Sequence, residues 1–259
     1  MSNKKIGLVL SGGASKCIAQ LGVLDFWQKE IGFQPDAISA VSGSAILGSL
    51  YAAGLQPSEI LKFIIKEANF SFYFPSFRKG GFFTMSRIVD AYRKVQPAKS
   101  FEELQIPLII CATNITQGTT EYFSSGELLT PIIASSSYPV VFEPIEIKNH
   151  WYLDGGITNN FPVEPLIATC KAVVGISVGK IYPIEKGFSV QRTIFRSLEL
   201  AINEHDKIKH PLCDFFLDLE NLNDIPMFDF STAERTYQIG YQQAEEKAVE
   251  FEKFLKKYT

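Results

Sequence analysis

Short apolar runs that end at small residues alternate with helix-like periodicity at the start of the chain. The run from Ile6 to Leu10 ends at Ser-Gly-Gly, and apolar side chains then recur at helical spacing between Cys17 and Lys29. The run from Ala37 to Val41 ends at Ser42-Gly43-Ser44, and the small residues from Ala45 to Ala53 predict a second helix. Two strand–turn–helix units in succession predict a parallel sheet flanked by helices.

The rest of the chain continues this alternation. Further helices are predicted at Pro57 to Glu67, Met85 to Val95, Leu128 to Ser135, Gln191 to Ile208 and Thr232 to Lys257. Further strands are predicted at Pro107 to Thr113, Thr119 to Ser124, Phe142 to Ile147, Trp151 to Leu153, Ala172 to Val178 and Asp214 to Leu219. We therefore predict a single three-layer α/β/α sandwich over residues 1–259, with a mainly parallel central sheet.

Composition excludes several functional classes. The 259 residues are 46% hydrophobic and 20% charged, which rules out a disordered chain. The 25 basic and 28 acidic residues give a net charge of −3, so no nucleic-acid partner is expected. Four cysteines lack CxxC or Cys/His ligand spacing, so no metal is implied and a reducing compartment is favoured. No apolar run suits a signal peptide or a spanning helix, which predicts a cytoplasmic protein whose membrane contact is peripheral.

Ser42 carries the first chemical signal. It directly follows an apolar strand and directly precedes a helix of small residues, which is the placement of a nucleophile elbow. Ala40 and Ser44 stand where the G-x-S-x-G pattern has glycines, so the motif alone is weak. A helix N-cap role for Ser42 or Ser44 is an equal alternative for this segment in isolation.

The turn that follows the first strand carries the second signal. Its sequence Ser11-Gly12-Gly13-Ala14-Ser15-Lys16 offers backbone amides that could stabilise an oxyanion. A phosphate-binding turn is the alternative, but neither the dinucleotide fingerprint nor the P-loop pattern is present.

Asp154 supplies the third signal, because it leaves a short strand and is followed by Gly155 and Gly156. Taken alone, an aspartate before glycine is better explained as an Asx-type turn. The conjunction of an oxyanion turn, a nucleophile elbow and an unshielded carboxylate at strand ends favours nucleophilic acyl transfer.

In this order the motifs resemble the patatin-like phospholipases and lipid acyl hydrolases. The matching blocks are LVLSGGASKCIAQLGVL, ISAVSGSAILGSLYAAG, ASSSYPVVFEPI and WYLDGGITNNFPVEPL, and the resemblance spans about residues 6–178. The late segment FDFSTAERTYQIGYQQA resembles the family's last helix.

The resemblance implies an enzyme that cleaves lipid acyl esters without a cofactor. It implies Ser42 as the nucleophile and Asp154 as its partner in a dyad without histidine. It further implies an oxyanion turn at Gly12, Gly13 and Ala14, and supporting roles for Lys16, Gly43 and Gly155.

Departures from the family pattern leave alternatives open. Lys16, Cys17 and Gln20 replace arginine, glycine and histidine, and Ser44 could crowd the elbow or donate one more hydrogen bond. A catalytically weakened lipid-binding or regulatory protein is therefore the second hypothesis. The chain order of Ser42, Asp154 and either His205 or His210 would also satisfy a histidine triad.

The segment from Asn69 to Phe83 concentrates aromatic side chains around Arg78-Lys79-Gly80-Gly81. Such a cluster in a loop, next to cations, predicts peripheral contact with a membrane that carries anionic headgroups. A small core beneath a long loop is the equal alternative. The sequence leaves the oligomeric state open.

Overall fold

The computed structural model describes residues 6–68, 74–75, 80–81, 83–184, 187 and 189–258. The strands among these residues are β1 (Ile6–Leu10), β2 (Ala37–Val41), β3 (Phe74–Pro75), β4 (Phe83–Thr84), β5 (Leu108–Asn114), β6 (Thr119–Phe123), β7 (Ile145–Ile147), β8 (His150–Asp154), β9 (Ala172–Ser177) and β10 (Phe215–Asp218). The α-helices among them are α1 (Ile18–Phe26), α2 (Gly43–Ala52), α3 (Pro57–Ala68), α4 (Ser86–Val95), α5 (Leu129–Ser135), α6 (Glu164–Ile167), α7 (Val190–Glu204), α8 (Ala233–Glu246) and α9 (Ala248–Leu255).

The central sheet is mixed, with a parallel majority. Strands β10, β9, β1, β2 and β5 run parallel in that order. Strands β6 and β8 each pair antiparallel with β5, and β7 pairs antiparallel with β8. The predicted α/β sandwich with a mainly parallel sheet is therefore confirmed. The short strands β3 and β4 form a separate antiparallel pair.

Helices cover the two faces of the sheet unequally. The alternate residues Leu8 and Leu10 of β1 join the main hydrophobic core, to which α1, α2, α3, α8 and α9 contribute. On the opposite face Val9 packs with Phe161 and Leu166, so the short helix α6 and its neighbouring loop form a thinner layer. Near-continuous apolar strands suit this arrangement, because both faces of the parallel strands are buried.

The register of β5 determines where the functional loops meet. Val41, the last residue of β2, pairs with Cys111, while Asp154, the last residue of β8, pairs with the adjacent Ala112. Ser42 directly follows Val41, so two segments that are far apart in sequence end next to one another at this point of β5.

The structure corrects two helix boundaries. The predicted helix from Thr232 to Lys257 is two helices, because the Lys247 backbone (φ −97°, ψ 4°) leaves the helical region and redirects α9. That turn stacks Phe251 on Trp27 with ring centroids 4.0 Å apart. The predicted helix from Gln191 to Ile208 ends at Glu204, after which the chain turns to bury Asp206.

Candidate active site

Ser42 occupies a strained backbone conformation between β2 and α2. Its φ of 58° and ψ of −134° lie in a region that residues with a side chain seldom adopt. Such strain costs about 1–3 kcal/mol and persists only where surrounding contacts impose it. The N-cap alternative is not supported, because the Ser42 side chain makes no capping hydrogen bond to α2.

The Ser42 hydroxyl instead contacts a carboxylate. Ser42 Oγ donates a hydrogen bond of 2.6 Å to Asp154 Oδ2, and the second oxygen, Oδ1, accepts from the Gly156 amide at 2.8 Å. Ser42 is 8% exposed and Asp154 is 2% exposed, so the pair is shielded from water except on the side of the cavities described below. The arrangement gives a hydroxyl and a base within direct proton-transfer distance.

Burial changes the acid–base chemistry of Asp154. Desolvation raises its pKa to about 7, and the hydrogen bonds from Ser42 and the Gly156 amide oppose that rise. A carboxylate of ordinary pKa is a weak base towards a serine hydroxyl. A pKa near neutrality makes Asp154 a more effective proton acceptor while leaving a large ionised fraction at neutral pH.

Three consecutive serines at the end of α5 hold both members of the pair. The Ser42 amide donates to Ser135 Oγ at 2.9 Å, and Ser136 Oγ donates to the Ser42 carbonyl at 2.9 Å. The Asp154 amide donates to the Ser137 carbonyl at 2.9 Å. These contacts account for the persistence of the strained Ser42 backbone. The three serines lie in the segment ASSSYPVVFEPI, which contributes to the family resemblance. No pattern in that segment indicated that they would hold Ser42 and Asp154.

The glycine turn after β1 lies against Ser42. A Cβ atom on Gly12 would come within 3.0 Å of the Ser42 Cβ and 2.2 Å of Asn160 Oδ1, so only glycine permits this approach. The Gly12 amide donates to the Asn160 carbonyl at 3.1 Å. Among the described residues, the amides of Gly13 and Ala14 donate no hydrogen bond and remain available to a ligand. Asn160, like the three serines, was not singled out from the sequence.

The remaining predicted supporting residues lie close to the pair. Gly43 faces the Ala14 carbonyl, and a Cβ atom on Gly155 would meet the Cys111 carbonyl oxygen at 2.2 Å. Glycine at 155 thus permits the loop after β8 to pack directly on β5. Lys16 Nζ lies 3.6 Å from Glu199 Oε1, and both side chains line a second, smaller pocket that also reaches Ser42. We call it the polar pocket after Lys16, Glu199 and Asn203 in its lining, which also includes apolar side chains such as Val178 and Ile202.

An apolar cavity opens on the other side of Ser42. It encloses about 960 Å³ including its open mouth and is bordered by the α2, α3 and α4 helices. Its apolar lining includes Ile18, Ile46, Leu47, Ile64, Ile88 and Phe228. Ser42 and Asp154 line both this cavity and the polar pocket, so the hydroxyl stands where the two meet.

The histidines lie away from the pair. The His210 ring stacks on Phe216 with centroids 4.1 Å apart, and His205 is exposed at the end of α7. Within the described part of the chain, no histidine lines either pocket or hydrogen bonds to Ser42 or Asp154. The geometry therefore offers nothing to the triad alternative.

The predicted aromatic segment Asn69 to Phe83 lies mostly outside the described residues, which include only 74–75, 80–81 and 83 of it. Among the helices of the described ranges, none combines the length and the apolar composition of a membrane-spanning segment.

Comparison with known proteins agrees with the fold and the motif order. The sequence model of the Patatin-like phospholipase family matches residues 8–167. The chain belongs to this family, and the resemblance seen in the sequence is confirmed.

Individual relatives are more distant. An uncharacterized NTE family protein of Mycobacterium bovis is 28% identical over 64% of this chain and 46% of its own length. A probable lipid hydrolase of Invertebrate iridescent virus 6 is 31% identical over 61% of each chain. A lysophospholipase of Lodderomyces elongisporus is 29% identical over 70% of this chain. The chain spans about half the length of the mycobacterial relative and 13% of the yeast one.

Among solved structures, VipD from Legionella pneumophila has a similar fold. The TM-score is 0.53 at 14% sequence identity, over 98% of this chain and 67% of that one. At this identity the likeness concerns the fold alone.

Proposed function

We propose that this protein is a serine hydrolase that cleaves acyl esters of lipids through a Ser42–Asp154 dyad. The observation that carries the proposal is the hydrogen bond of 2.6 Å from Ser42 Oγ to Asp154 Oδ2 at the junction of an apolar cavity and a polar pocket. Membership of the Patatin-like phospholipase family and the names of the viral and yeast relatives support lipid esters as the substrate class.

In the first half of the reaction, Ser42 Oγ attacks the ester carbonyl carbon while its proton passes to Asp154 Oδ2. The carbonyl oxygen becomes an oxyanion, to which the Gly13 and Ala14 amides donate. We assign the donor role to these two because the Gly12 amide is engaged with Asn160. The bond to the alcohol then breaks, Asp154 returns the proton to the departing oxygen, and an acyl ester remains on Ser42.

In the second half, water attacks the acyl-Ser42 carbonyl carbon and its proton passes to Asp154. The same two amides stabilise the second oxyanion. Collapse of this intermediate breaks the bond to Ser42 Oγ, which takes the proton back from Asp154, and releases a fatty acid. This cycle regenerates both side chains without a cofactor.

The two pockets define how substrate would lie. The apolar cavity between α2 and α4 accommodates the acyl chain, because burial of each CH₂ group contributes about 0.8 kcal/mol. The polar pocket beside Lys16 and Asn203 accommodates the alcohol part of the ester. Ser44 does not obstruct this site, because its hydroxyl points to Ser11 and Gln20 rather than into either pocket. This orientation argues against the weakened lipid-binding alternative.

Hydrolysis of a p-nitrophenyl ester, a lysophospholipid and a diacyl phospholipid tests the proposal, with product analysis for wild type, Ser42→Ala and Asp154→Asn. We expect fatty acid release from at least one lipid by wild type and none above background by Ser42→Ala. Equal release by wild type and Ser42→Ala would refute the proposed function.

We also propose that the segment from Asn69 to Phe83 contacts the lipid surface from which substrate is taken. The support is its sequence alone, with seven aromatic residues flanking Arg78 and Lys79. Replacing Phe74 and Phe77 with serine should lower turnover of vesicle lipid far more than turnover of a short soluble ester. Equal losses on both substrates, with a lower melting temperature, would assign the aromatic residues to the core.

A further inference from the structure

Two buried side chains that the reaction does not use converge on the glycine turn. Gln20 on α1 is 1% exposed and Ser44 on α2 is fully buried, and both contact the Ser11 carbonyl oxygen. Gln20 Nε2 donates to this oxygen at 2.9 Å, and Ser44 Oγ lies 2.7 Å from it. Ser44 Oγ also contacts Gln20 Oε1, so its single proton is shared between the two acceptors.

The Ser11 carbonyl belongs to the same peptide group as the Gly12 amide. That group is therefore held at both ends, by Gln20 and Ser44 at the oxygen and by the Asn160 carbonyl at the Gly12 amide. The next two amides along the chain are those of Gly13 and Ala14, the proposed oxyanion donors. Glycine rotates freely about both backbone bonds, so the direction of these amides depends on a fixed preceding peptide group.

Ser44 also connects this turn to the nucleophile. It lies in the first turn of α2, two residues after Ser42, and so its hydroxyl ties the helix that carries the nucleophile to the turn that carries the oxyanion donors. The distance between nucleophile and donors is the quantity on which stabilisation of a tetrahedral intermediate depends.

We propose that Ser44 and Gln20 are positioning residues that fix the Gly13 and Ala14 amides relative to Ser42. This inference rests on the proposed hydrolase function and adds two residues to it. Neither side chain touches substrate, because neither borders the apolar cavity or the polar pocket. Their effect is transmitted through the Ser11–Gly12 peptide group.

The proposal predicts a selective loss in the transition state. Because a single oxyanion donor contributes a factor of about 10²–10³ to kcat, partial misalignment in Ser44→Ala or Gln20→Met should lower kcat about ten-fold or more. KM for a short ester should stay within about twofold, because ground-state contacts are unchanged. The double variant should lose little more than the worse single variant, because the two side chains act through one peptide group.

Ser49→Ala is the matched control. Ser49 is a fully buried serine on the same helix, and its hydroxyl bonds to the Ile46 carbonyl and the Tyr92 hydroxyl, away from the glycine turn. Its loss should lower the melting temperature by a similar amount and leave kcat for p-nitrophenyl acetate unchanged.

The experiment measures kcat and KM for p-nitrophenyl acetate, the melting temperature, and the inhibition constant of a trifluoromethyl ketone. The proteins compared are wild type, Ser44→Ala, Gln20→Met, their double variant, Ser49→Ala and Ser42→Ala. The ketone adds reversibly to a serine hydroxyl and forms an oxyanion, so its inhibition constant should rise about ten-fold in Ser44→Ala and Gln20→Met but not in Ser49→Ala.

Three outcomes would contradict parts of this account. If wild type is active and Ser42→Ala is not, yet Ser44→Ala and Gln20→Met keep the wild-type kcat and inhibition constant, the positioning role alone is refuted. An equal loss in Ser49→Ala would also refute it, by showing general damage to α2. Equal activity of wild type and Ser42→Ala would refute the hydrolase function itself.

Discussion

The Ser42 hydroxyl donates to Asp154 Oδ2 at 2.6 Å although 112 residues separate the two in sequence. Strand β5 is the reason, because its neighbouring residues Cys111 and Ala112 pair with the last residues of β2 and β8. The Thr113 hydroxyl adds a hydrogen bond of 2.8 Å to the Asp154 carbonyl. The Ser42–Asp154 pair is thus positioned by the pairing of β2 and β8 with β5.

Activity should follow the ionisation of Asp154. Burial raises its pKa to about 7, and the carboxyl must be ionised to accept the Ser42 proton. We expect kcat/KM for a soluble ester to fall about tenfold for each pH unit below about 7 and to level off above it. A plateau that continues down to about pH 5 would contradict an ionised Asp154 as the base.

The same pH profile should persist when the histidines are replaced. His205 and His210 make no contact with the pair, so His205→Ala and His210→Ala should each retain kcat/KM within about threefold of wild type. Measurement of both profiles separates a carboxylate from an imidazole as the titrating group. A loss of several orders of magnitude in either variant, at normal melting temperature, would establish a triad.

Among the three consecutive serines at the end of α5, Ser135 should contribute more to catalysis than Ser137. Ser135→Ala leaves the Ser42 amide without its partner, so kcat should fall about ten-fold as the strained elbow relaxes. Ser137→Ala is the control, because its hydroxyl bonds to the Ile133 carbonyl and Met85 sulfur, while its carbonyl still holds Asp154. Kinetics with a short ester should show a loss in the first variant alone. Equal losses would mean that α5 as a whole has shifted.

Removal of the buried charge should stabilise the protein. The folded-state pKa of Asp154 lies above its ordinary value of 3.8, so the folded state binds the proton more tightly than the unfolded state. On this account the free energy of unfolding falls as pH rises from about 4 to about 7 and stays lower above that range. The free energy of unfolding of Asp154→Asn should therefore exceed that of wild type by roughly 1–3 kcal/mol at about pH 8. This difference should become smaller towards about pH 5. Thermal melts of both proteins at the two pH values test this, and a less stable variant at the higher pH would contradict it.

Narrowing the apolar cavity should change chain-length preference. Ala91 is buried in α4 and lines the cavity, so Ala91→Leu should lower hydrolysis of a decanoate ester at least about ten-fold relative to an acetate ester. Ala98→Leu is the control, because Ala98 is similarly buried but lies outside the cavity lining. A parallel loss on both esters in Ala91→Leu would show that the acyl chain lies elsewhere.

Sequence patterns predicted the features of the fold that depend on the order of neighbouring residues along the chain. The apolar runs and small-residue turns indicated β1, β2 and the loops that carry Ser42 and Asp154, and the motif order indicated the family. Contacts between distant segments carry no such local signal. The support of Ser42 by Ser135 and Ser136, and of Gly12 by Asn160, arises only when α5 and the loop after β8 pack at the ends of β2 and β1.

Helix boundaries show the same limit. Continuous helical periodicity from Thr232 to Lys257 concealed the break at Lys247, which accompanies the stacking of Phe251 on Trp27.

The contact of Ser44 was hidden for the same reason. In the sequence Ser44 is only a departure from the elbow pattern, whereas its hydrogen-bond partner Gln20 lies 24 residues away.

Labelling with a fluorophosphonate, followed by peptide mass spectrometry, shows whether Ser42 is an activated nucleophile, because the reagent reacts covalently with activated serine hydroxyls. We predict a single adduct on Ser42 in wild type, none in Ser42→Ala, and labelling slowed by several orders of magnitude in Asp154→Asn. No adduct on the folded wild-type protein, or an adduct on another serine that survives in Ser42→Ala, would contradict Ser42 as the nucleophile activated by Asp154.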